Sequence, residues 1–410
     1  MKGLRGYLWI AVLAMVALIA TGCGRDEDKG GGTTSPGITD TEIKLGGSYP
    51  FSGPASAYKS IRDGARAQFE FVNDQGGVDG RKIKFVTLDD GYEPPRAVQN
   101  ARRLIQQEKV FALFNTLGTP NNLAIWDYVN KQEVPHLFVA TGASDWGEDI
   151  EAHPFTIGWQ PDYVTEAQTY AAYLKKEKPS AKVAALYQND GFGKDLLGGF
   201  EKAIEGSNIE VVTKESYEVT DPAITSQMRK LAGSGADTFL NITTPKFSAQ
   251  AIAAVTKSDW KPLHILNNVG ASKTLVLTPV GLDNAKGIVS TSYFKDPEDP
   301  QWRDDAAMKE YKTALKKYSP RSNPNDPFNV YGWAAAATMV EALNNMEEPT
   351  RDSLMDSVRN LDTEIPILLP GINVQTSDTD GYPLEAMQIM RFNGDRWELI
   401  GDVVQAQRQT

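Results

Sequence analysis

Glu42-Ile43-Lys44-Leu45-Gly46-Gly47-Ser48-Tyr49-Pro50-Phe51-Ser52-Gly53-Pro54 is the stretch on which the reading of the fold turns. Glu42 to Gly47 reads as a strand that runs straight into a loop of small residues and prolines. A helix follows from Ile61 to Val72, with Ile61, Ala65, Phe69 and Val72 on one face. Gly76-Gly77 closes it, and a turn at Asp79-Gly80 leads into a second strand, Lys82 to Leu88. The unit then repeats as helix Ala97 to Gln107, strand Val110 to Phe114, helix Asn121 to Lys131 and strand His136 to Val139. Strands that alternate with helices of ten or more residues pair in parallel through right-handed crossovers.

The alternation restarts after Pro161. Helix Thr165 to Lys178 leads to strand Lys182 to Tyr187, and helix Gly193 to Glu205 to strand Glu210 to Ser216. Ile224 to Ala232, Thr238 to Asn241, Phe247 to Ser258 and His264 to Leu266 continue it. A mostly helical stretch follows (Gln301 to Tyr318, Phe328 to Asn344, Arg351 to Asn360), then two strands, Ala386 to Phe392 and Trp397 to Val403, around Asn393-Gly394-Asp395. The pattern predicts an α/β protein with two doubly wound lobes, each around a parallel central sheet. No period of 20–50 residues marks a solenoid.

Working back to the start, Lys2 and Arg5 precede an apolar run from Tyr7 to Ala20, short for a membrane span and suited to a signal peptide. The run ends in Ala20-Thr21-Gly22-Cys23, which resembles the lipobox of bacterial lipoproteins, with Ala20 where leucine is usual. Residues 1–22 are expected to be removed, and Cys23, the single cysteine, to carry lipid. Residues 23–39, rich in glycine, threonine and serine, form a flexible tether. A lone cysteine makes no internal disulfide, and no cysteine–histidine spacing suggests a metal.

Charge narrows the function. Forty-two basic against 53 acidic residues give a net charge of −11, and no basic run offers a path for a phosphate backbone. Loss of Lys2 and Arg5 takes the mature chain to −13. Catalytic signatures are missing as well. His136, His153 and His264 stand apart, and there is no nucleophile elbow, Walker-type loop or carboxylate pair of clear spacing. Binding without chemistry, cofactor or metal is the expectation. An envelope-anchored hydrolase is the alternative from another class, and it would need a histidine beside Ser52 or Ser144.

Ligands of open parallel sheets sit beyond the carboxyl ends of strands. The first such end carries Ser52, with Tyr58 further on; the second carries Leu88-Asp89-Asp90 and Tyr92. The third and fourth, Asn115 to Pro120 and Ala140 to Ser144, offer small residues and a helix start suited to a carboxylate. Tyr58, Tyr92, Trp146 and Phe192 supply aromatic surface for an apolar body. In the second half Gln188-Asn189-Asp190-Gly191-Phe192-Gly193 lacks the third glycine of a dinucleotide fingerprint.

From about Thr39 to Val403 the chain resembles the leucine/isoleucine/valine-binding protein family. The resemblance rests on Phe51-Ser52-Gly53-Pro54 with Tyr58, on Phe71-Val72-Asn73 with Gly76-Gly77-Val78-Asp79-Gly80, on Leu88-Asp89-Asp90 with Pro95 and Ala97-Val98, and on Tyr187 to Gly193. It implies the type I periplasmic binding fold, two Rossmann-like lobes joined by three crossovers, with ligand enclosed by hinge closure. It also implies a monomer that delivers a small molecule to an ABC permease of the cytoplasmic membrane; a sensory protein of the same fold is the alternative within the class. The lobes are expected at 40–158 plus 292–366 and at 159–291 plus 367–410. Carried over residue by residue, Gly118, Thr119, Thr141, Gly142 and Ala143 surround a ligand carboxylate, and Tyr58 and Phe192 line the aromatic part. Thr244 falls where the family has a second-lobe tyrosine. Val269 falls where it has the glutamate that pairs with an α-amino group. A buried ammonium without a partner is costly, so the expected ligand has a carboxylate or amide end and an apolar or aromatic body, unless Asp145 or Asp190 supplies the acid.

Overall fold

A computed structural model describes residues 35–406. The expected signal segment, Cys23 and most of the expected tether therefore lie outside the described residues, while the tether's last residues are packed: Ser35 N–H binds the Pro349 carbonyl and Ile38 is buried in the first core. The first sheet holds β1 (Glu42–Tyr49), β2 (Lys82–Asp89), β3 (Ala112–Phe114), β4 (His136–Val139) and β5 (Thr156–Gly158). Its order is β2-β1-β3-β4-β5 and every pairing is parallel. The strands β3, β4 and β5 are buried along their whole length, as strands covered by helices on both faces must be. Helices α1 (Lys59–Asp74), α2 (Pro94–Arg102) and α3 (Thr119–Lys131) supply the crossovers.

The second sheet repeats that winding. Strands β6 (Lys182–Gln188), β7 (Glu210–Tyr217), β8 (Thr238–Ile242), β9 (Leu263–Leu266) and β10 (Val289–Ser292) pair in parallel as β7-β6-β8-β9-β10. Helices α4 (Tyr163–Glu177), α5 (Gly191–Ala203), α6 (Thr225–Ala232) and α7 (Pro245–Thr256) flank it. Beyond β10 the sheet gains an antiparallel hairpin. With β11 and β12 assigned to a two-residue pair, Asp362–Thr363 and Val374–Gln375, the hairpin is β13 (Ala386–Phe392) and β14 (Trp397–Gln405). Each parallel set thus reverses its winding once, between β1 and β3 and between β6 and β8, which is where open α/β sheets bind ligands.

After β10 the chain returns to the first lobe as α8 (Ala306–Tyr318), α9 (Pro327–Asn344) and α10 (Arg351–Val358). Helix α9 is apolar nearly all round because it is buried nearly all round. It meets α1 without a side chain between the two backbones. A Cβ at Gly64 would lie 2.0 Å from the Asn329 carbonyl oxygen, and one at Gly332 would lie 1.8 Å from that of Ile61. Both glycines are therefore required by packing. The sequence places the final return to the second lobe at residue 367. In the structure Ile367, Leu368, Leu369, Ile372, Val374 and Leu384 still pack in the first core, and the second sheet resumes only at Ala386.

Trp159 ties the connections together. It is fully buried in the first crossover, donates its Nε1–H to Thr338 Oγ1 of α9 at 2.9 Å, and meets Tyr293 of the second crossover edge-on at 6.0 Å. Lys295 N–H and Leu369 N–H then bind the Ile367 and Tyr293 carbonyls, joining the second crossover to the segment before β12.

The glycine contact is directly testable. Gly332→Ala should cost about 3 kcal/mol or more, because the clash is with backbone. Gly198→Ala, in α5 with open space around it, should instead stabilise by up to about 1 kcal/mol. Urea unfolding of the two variants measures both, and a Gly332→Ala as benign as Gly198→Ala would refute the backbone contact.

Candidate functional site between the lobes

The carboxyl ends of the two sheets face one another across a cavity of about 930 Å³ of atom-free space, part of it open to solvent. Several bonds hold the lobes together around it. Tyr58 Oη donates to the Val269 carbonyl at 3.1 Å, and Gln188 Nε2 to Tyr92 Oη at 3.4 Å. Outside the cavity Ser144 gives its N–H and its Oγ–H to the two oxygens of Asp195, at 2.8 and 3.1 Å.

At the first reversal point β3 runs out through Asn115 to Gly118. Gly118 has φ 100°, and a Cβ there would strike the Tyr92 ring at 2.6 Å. Glycine thus lets Tyr92 lie beside the start of α3, where Thr119 and Pro120 form the first turn. Thr119 Oγ1 meets Thr141 Oγ1 at 2.5 Å, and Thr141 Oγ1 meets Tyr163 Oη at 3.3 Å. Three hydroxyls carry three protons and two contacts use two, so one O–H remains for an acceptor in the cavity. The second reversal point repeats the device with Thr244 and Pro245 opening α7. There Thr244 and Tyr217 both bind Gln188 Oε1.

Of the residues picked out from sequence, Tyr58, Tyr92, Gly118, Thr119, Thr141, Phe192, Thr244 and Val269 stand together in the wall. Five others stand elsewhere. Ser52 is exposed, its N–H and Oγ–H both spent on Asp89. Gly142 packs under the first crossover, its carbonyl accepting the Tyr163 N–H at 2.6 Å. Ala143 and Trp146 form a small core with Trp126 and Val139. Asp190 caps α5 through Gly193 N–H and accepts from Gln188 Nε2, so both oxygens are engaged.

Other wall residues have no clear mark in the sequence: Gln160, Tyr163, Tyr293 and Phe294 from the crossovers, Asn268 from the loop after β9, and Phe328 and Tyr331 from α9. The restart of the alternation after Pro161 is the one signal that could have pointed there. Phe328 stacks on Tyr58 with centroids 5.0 Å apart. The Tyr331 hydroxyl is buried beside the Asn115 side chain. Burial pushes every wall phenol above its usual range, so all are neutral O–H groups.

The histidines are occupied away from either serine. His136 Nε2 lies 2.6 Å from Thr116 Oγ1, and burial lowers that imidazole to about 3. His153 is held by Asp127 and Asp149 and stacks on Trp126. His264 lies 3.0 Å from Asn241 Nδ2.

A buried acid supports the wall from behind. Glu166 Oε1 accepts the Asn268 N–H at 2.6 Å, next to Val269, and meets Tyr170 Oη at 2.7 Å. Tyr170 Oη also lies 3.0 Å from the Leu266 carbonyl. Tyr170 is the donor to Glu166, and both bonds to this oxygen favour the ionised carboxylate. Burial, only partly offset by these bonds, raises Glu166 from 4.5 to about 7. A carboxyl raised on folding contributes stability that is fully present below 4.5 and lost as pH rises through 7. The wild type should lose melting temperature across that interval and Glu166→Gln should lose less; parallel curves would mean the acid is already ionised.

The family model described as "Periplasmic binding protein" matches residues 42–396. A Leu/Ile/Val-binding protein homolog of Brucella suis is 26% identical over 318 residues, covering 75% of this chain and 78% of its own. A branched chain amino acid ABC transporter structure from Thermus thermophilus with bound valine superposes with a TM-score of 0.81 at 16% identity, over 90% of this chain and 98% of that one. A fatty acid ABC transporter substrate-binding protein from Thermomonospora curvata does so with 0.78 at 22% identity, over 92% and 95%. The chain belongs to the periplasmic binding protein family, with the type I fold of two parallel-sheet lobes.

Proposed function

We propose that this periplasmic binding protein captures a small molecule with a carboxylate or amide end and an apolar or aromatic body, and delivers it to an ABC import permease. The observation that carries the reading is the run of hydroxyls Thr119, Thr141 and Tyr163, with a proton to spare, set into a wall of phenols and phenyl rings. Valine and fatty acids, named for two structural neighbours, have in common a carboxylate on an apolar body. Hydroxyl donors in an enclosed site suit the first part, and aromatic faces the second. The family's members bind rather than catalyse and work outside the cytoplasm. Closure about the three crossovers, with the lobes meeting at Tyr58–Val269 and Ser144–Asp195, is how the ligand is enclosed.

Thermal-shift curves on residues 24–410 against branched-chain amino acids, amine-free aromatic and aliphatic carboxylates, and amides test the reading. A ligand at a hundredfold excess over its Kd adds about 2.7 kcal/mol of stability. Thr141→Val should weaken the responding carboxylate about tenfold, the effect of losing one hydrogen bond to a charged acceptor. Absence of any shift, or a Thr141→Val that binds like wild type, would count against it.

The lipid anchor on Cys23 follows from the Ala20-Thr21-Gly22-Cys23 string. In fractionated cells Cys23→Ser should move the protein from the membrane pellet to the soluble fraction, and an unchanged pellet would exclude the anchor.

A further inference from the structure

Asp296 stands in the cavity wall four residues past the end of β10, and half of its carboxyl is unused. Oδ1 accepts the Glu298 N–H at 2.8 Å. Asp296 is half-buried, and among the described residues no donor meets Oδ2. The neighbouring cations are engaged elsewhere. Lys273 Nζ pairs with Glu298 Oε1 at 3.0 Å, Lys312 Nζ of α8 binds the Pro297 carbonyl, and Lys295 Nζ pairs with Asp305 at 2.6 Å. Asp296, Glu298 and Asp299 against Lys273 and Lys312 leave one negative charge uncompensated. A carboxylate oxygen left open on a cavity wall with excess negative charge is a seat for a cation.

We propose that Asp296 receives an ammonium group of the ligand, which makes the cargo an amino-carboxylate whose two charged ends are separated by its apolar or aromatic body. This rests on the reading that Thr119, Thr141 and Tyr163 hold the carboxylate. The two ends fall on different segments: the hydroxyls follow β3 and β4 or open α4, and Asp296 follows β10. Among the described residues the carboxylates of the wall are Asp296 and Glu298, and Glu298 is already neutralised by Lys273. No acid lines the wall beside Thr119, Thr141 or Val269, so an α-amine next to the bound carboxylate finds no partner. The acid that sequence comparison looks for at Val269 is supplied instead from the segment after the second crossover. Burial first, then Glu298 and Asp299, hold Asp296 up to about 6, and Lys273 opposes them. The group is therefore ionised at neutral pH and loses its charge below about pH 6, where its attraction for an ammonium fades.

Matched probes test this by calorimetry on the mature chain: para-(aminomethyl)benzoate against para-methylbenzoate, ω-aminohexanoate against hexanoate, and phenylalanine against phenylpropanoate. The remote amine should tighten binding about tenfold at pH 8, the factor that 1.4 kcal/mol produces, and much less at pH 5. The α-amine should give no gain. Asp296→Asn keeps the acceptor that Glu298 N–H uses and should bring each amino probe down to the affinity of its amine-free match; Asp304→Asn, at an exposed acid paired with Lys309 outside the wall, is the comparison that should retain the gain. Amine-free carboxylates that bind as tightly as their amino partners, or a gain that survives Asp296→Asn, would overturn the assignment but leave the carboxylate site intact. Failure of every probe to bind would remove the carboxylate reading, and this inference with it.

Discussion

The contact between α1 and α9 sets the position of much else. Two helices that touch at Gly64 and Gly332 approach closer than any pair with side chains between them. That closeness puts Phe328 on Tyr58 and brings Ile61 and Tyr331 into one wall, although Gly64 and Gly332 stand 268 residues apart, with the parallel strands of the second lobe between them. α9 also receives the Trp159 indole through Thr338. The same helix therefore braces the cavity and the crossover on which the lobes turn. Little freedom is left there: a methyl group on either glycine would displace the wall and the hinge together.

Around the cavity the protein works mainly with neutral groups. The phenols keep their protons because burial disfavours the phenolate, and the hydroxyl run at Thr119, Thr141 and Tyr163 holds a proton in reserve without holding a charge. Charge enters through Lys273, Asp296 and Glu298 alone. Buried acids behind the wall serve geometry: Glu166 fixes the Asn268 amide, and Asp190 caps α5 and orients Gln188, which reaches across to Tyr92. The lobes are held by hydrogen bonds of this neutral or half-neutral kind, each worth little in water and more where water is excluded.

Alternation of strand and helix was legible because the central strands are short buried runs and most helices have one apolar face. The strand ends followed from it, and so did Gly118, Thr119 and Thr141. What lay outside the pattern was hidden for physical reasons. The crossovers at 159–162 and 293–295 are too short to show any period, yet they carry Gln160, Tyr293 and Phe294 and set Tyr163 at the start of α4. Helix α9 is apolar all round, so no stripe tells which residues face the cavity. Trp146 lies just beyond a strand end like a wall residue, but Trp126 on α3 takes its ring into a separate core. The last return to the second sheet was set too early because β11 and β12 are only two residues long and fold the chain back once more. The acid at Asp296 sits after a crossover, where comparison by strand order has nothing to align.

The two sheets share one winding order, and each opens its third helix with Thr-Pro, at Thr119-Pro120 after β3 and Thr244-Pro245 after β8. Set mouth to mouth, two copies of one structural unit make a chamber with approximate twofold symmetry. A small molecule with unlike ends has no such symmetry, so the repeated parts by themselves cannot tell one orientation from the other. Orientation has to come from the parts that occur once: α9, the crossovers, and the segment that bears Asp296. Of these, the segment that bears Asp296 lies outside the α1–α9 contact, so cargo can change there without disturbing the frame.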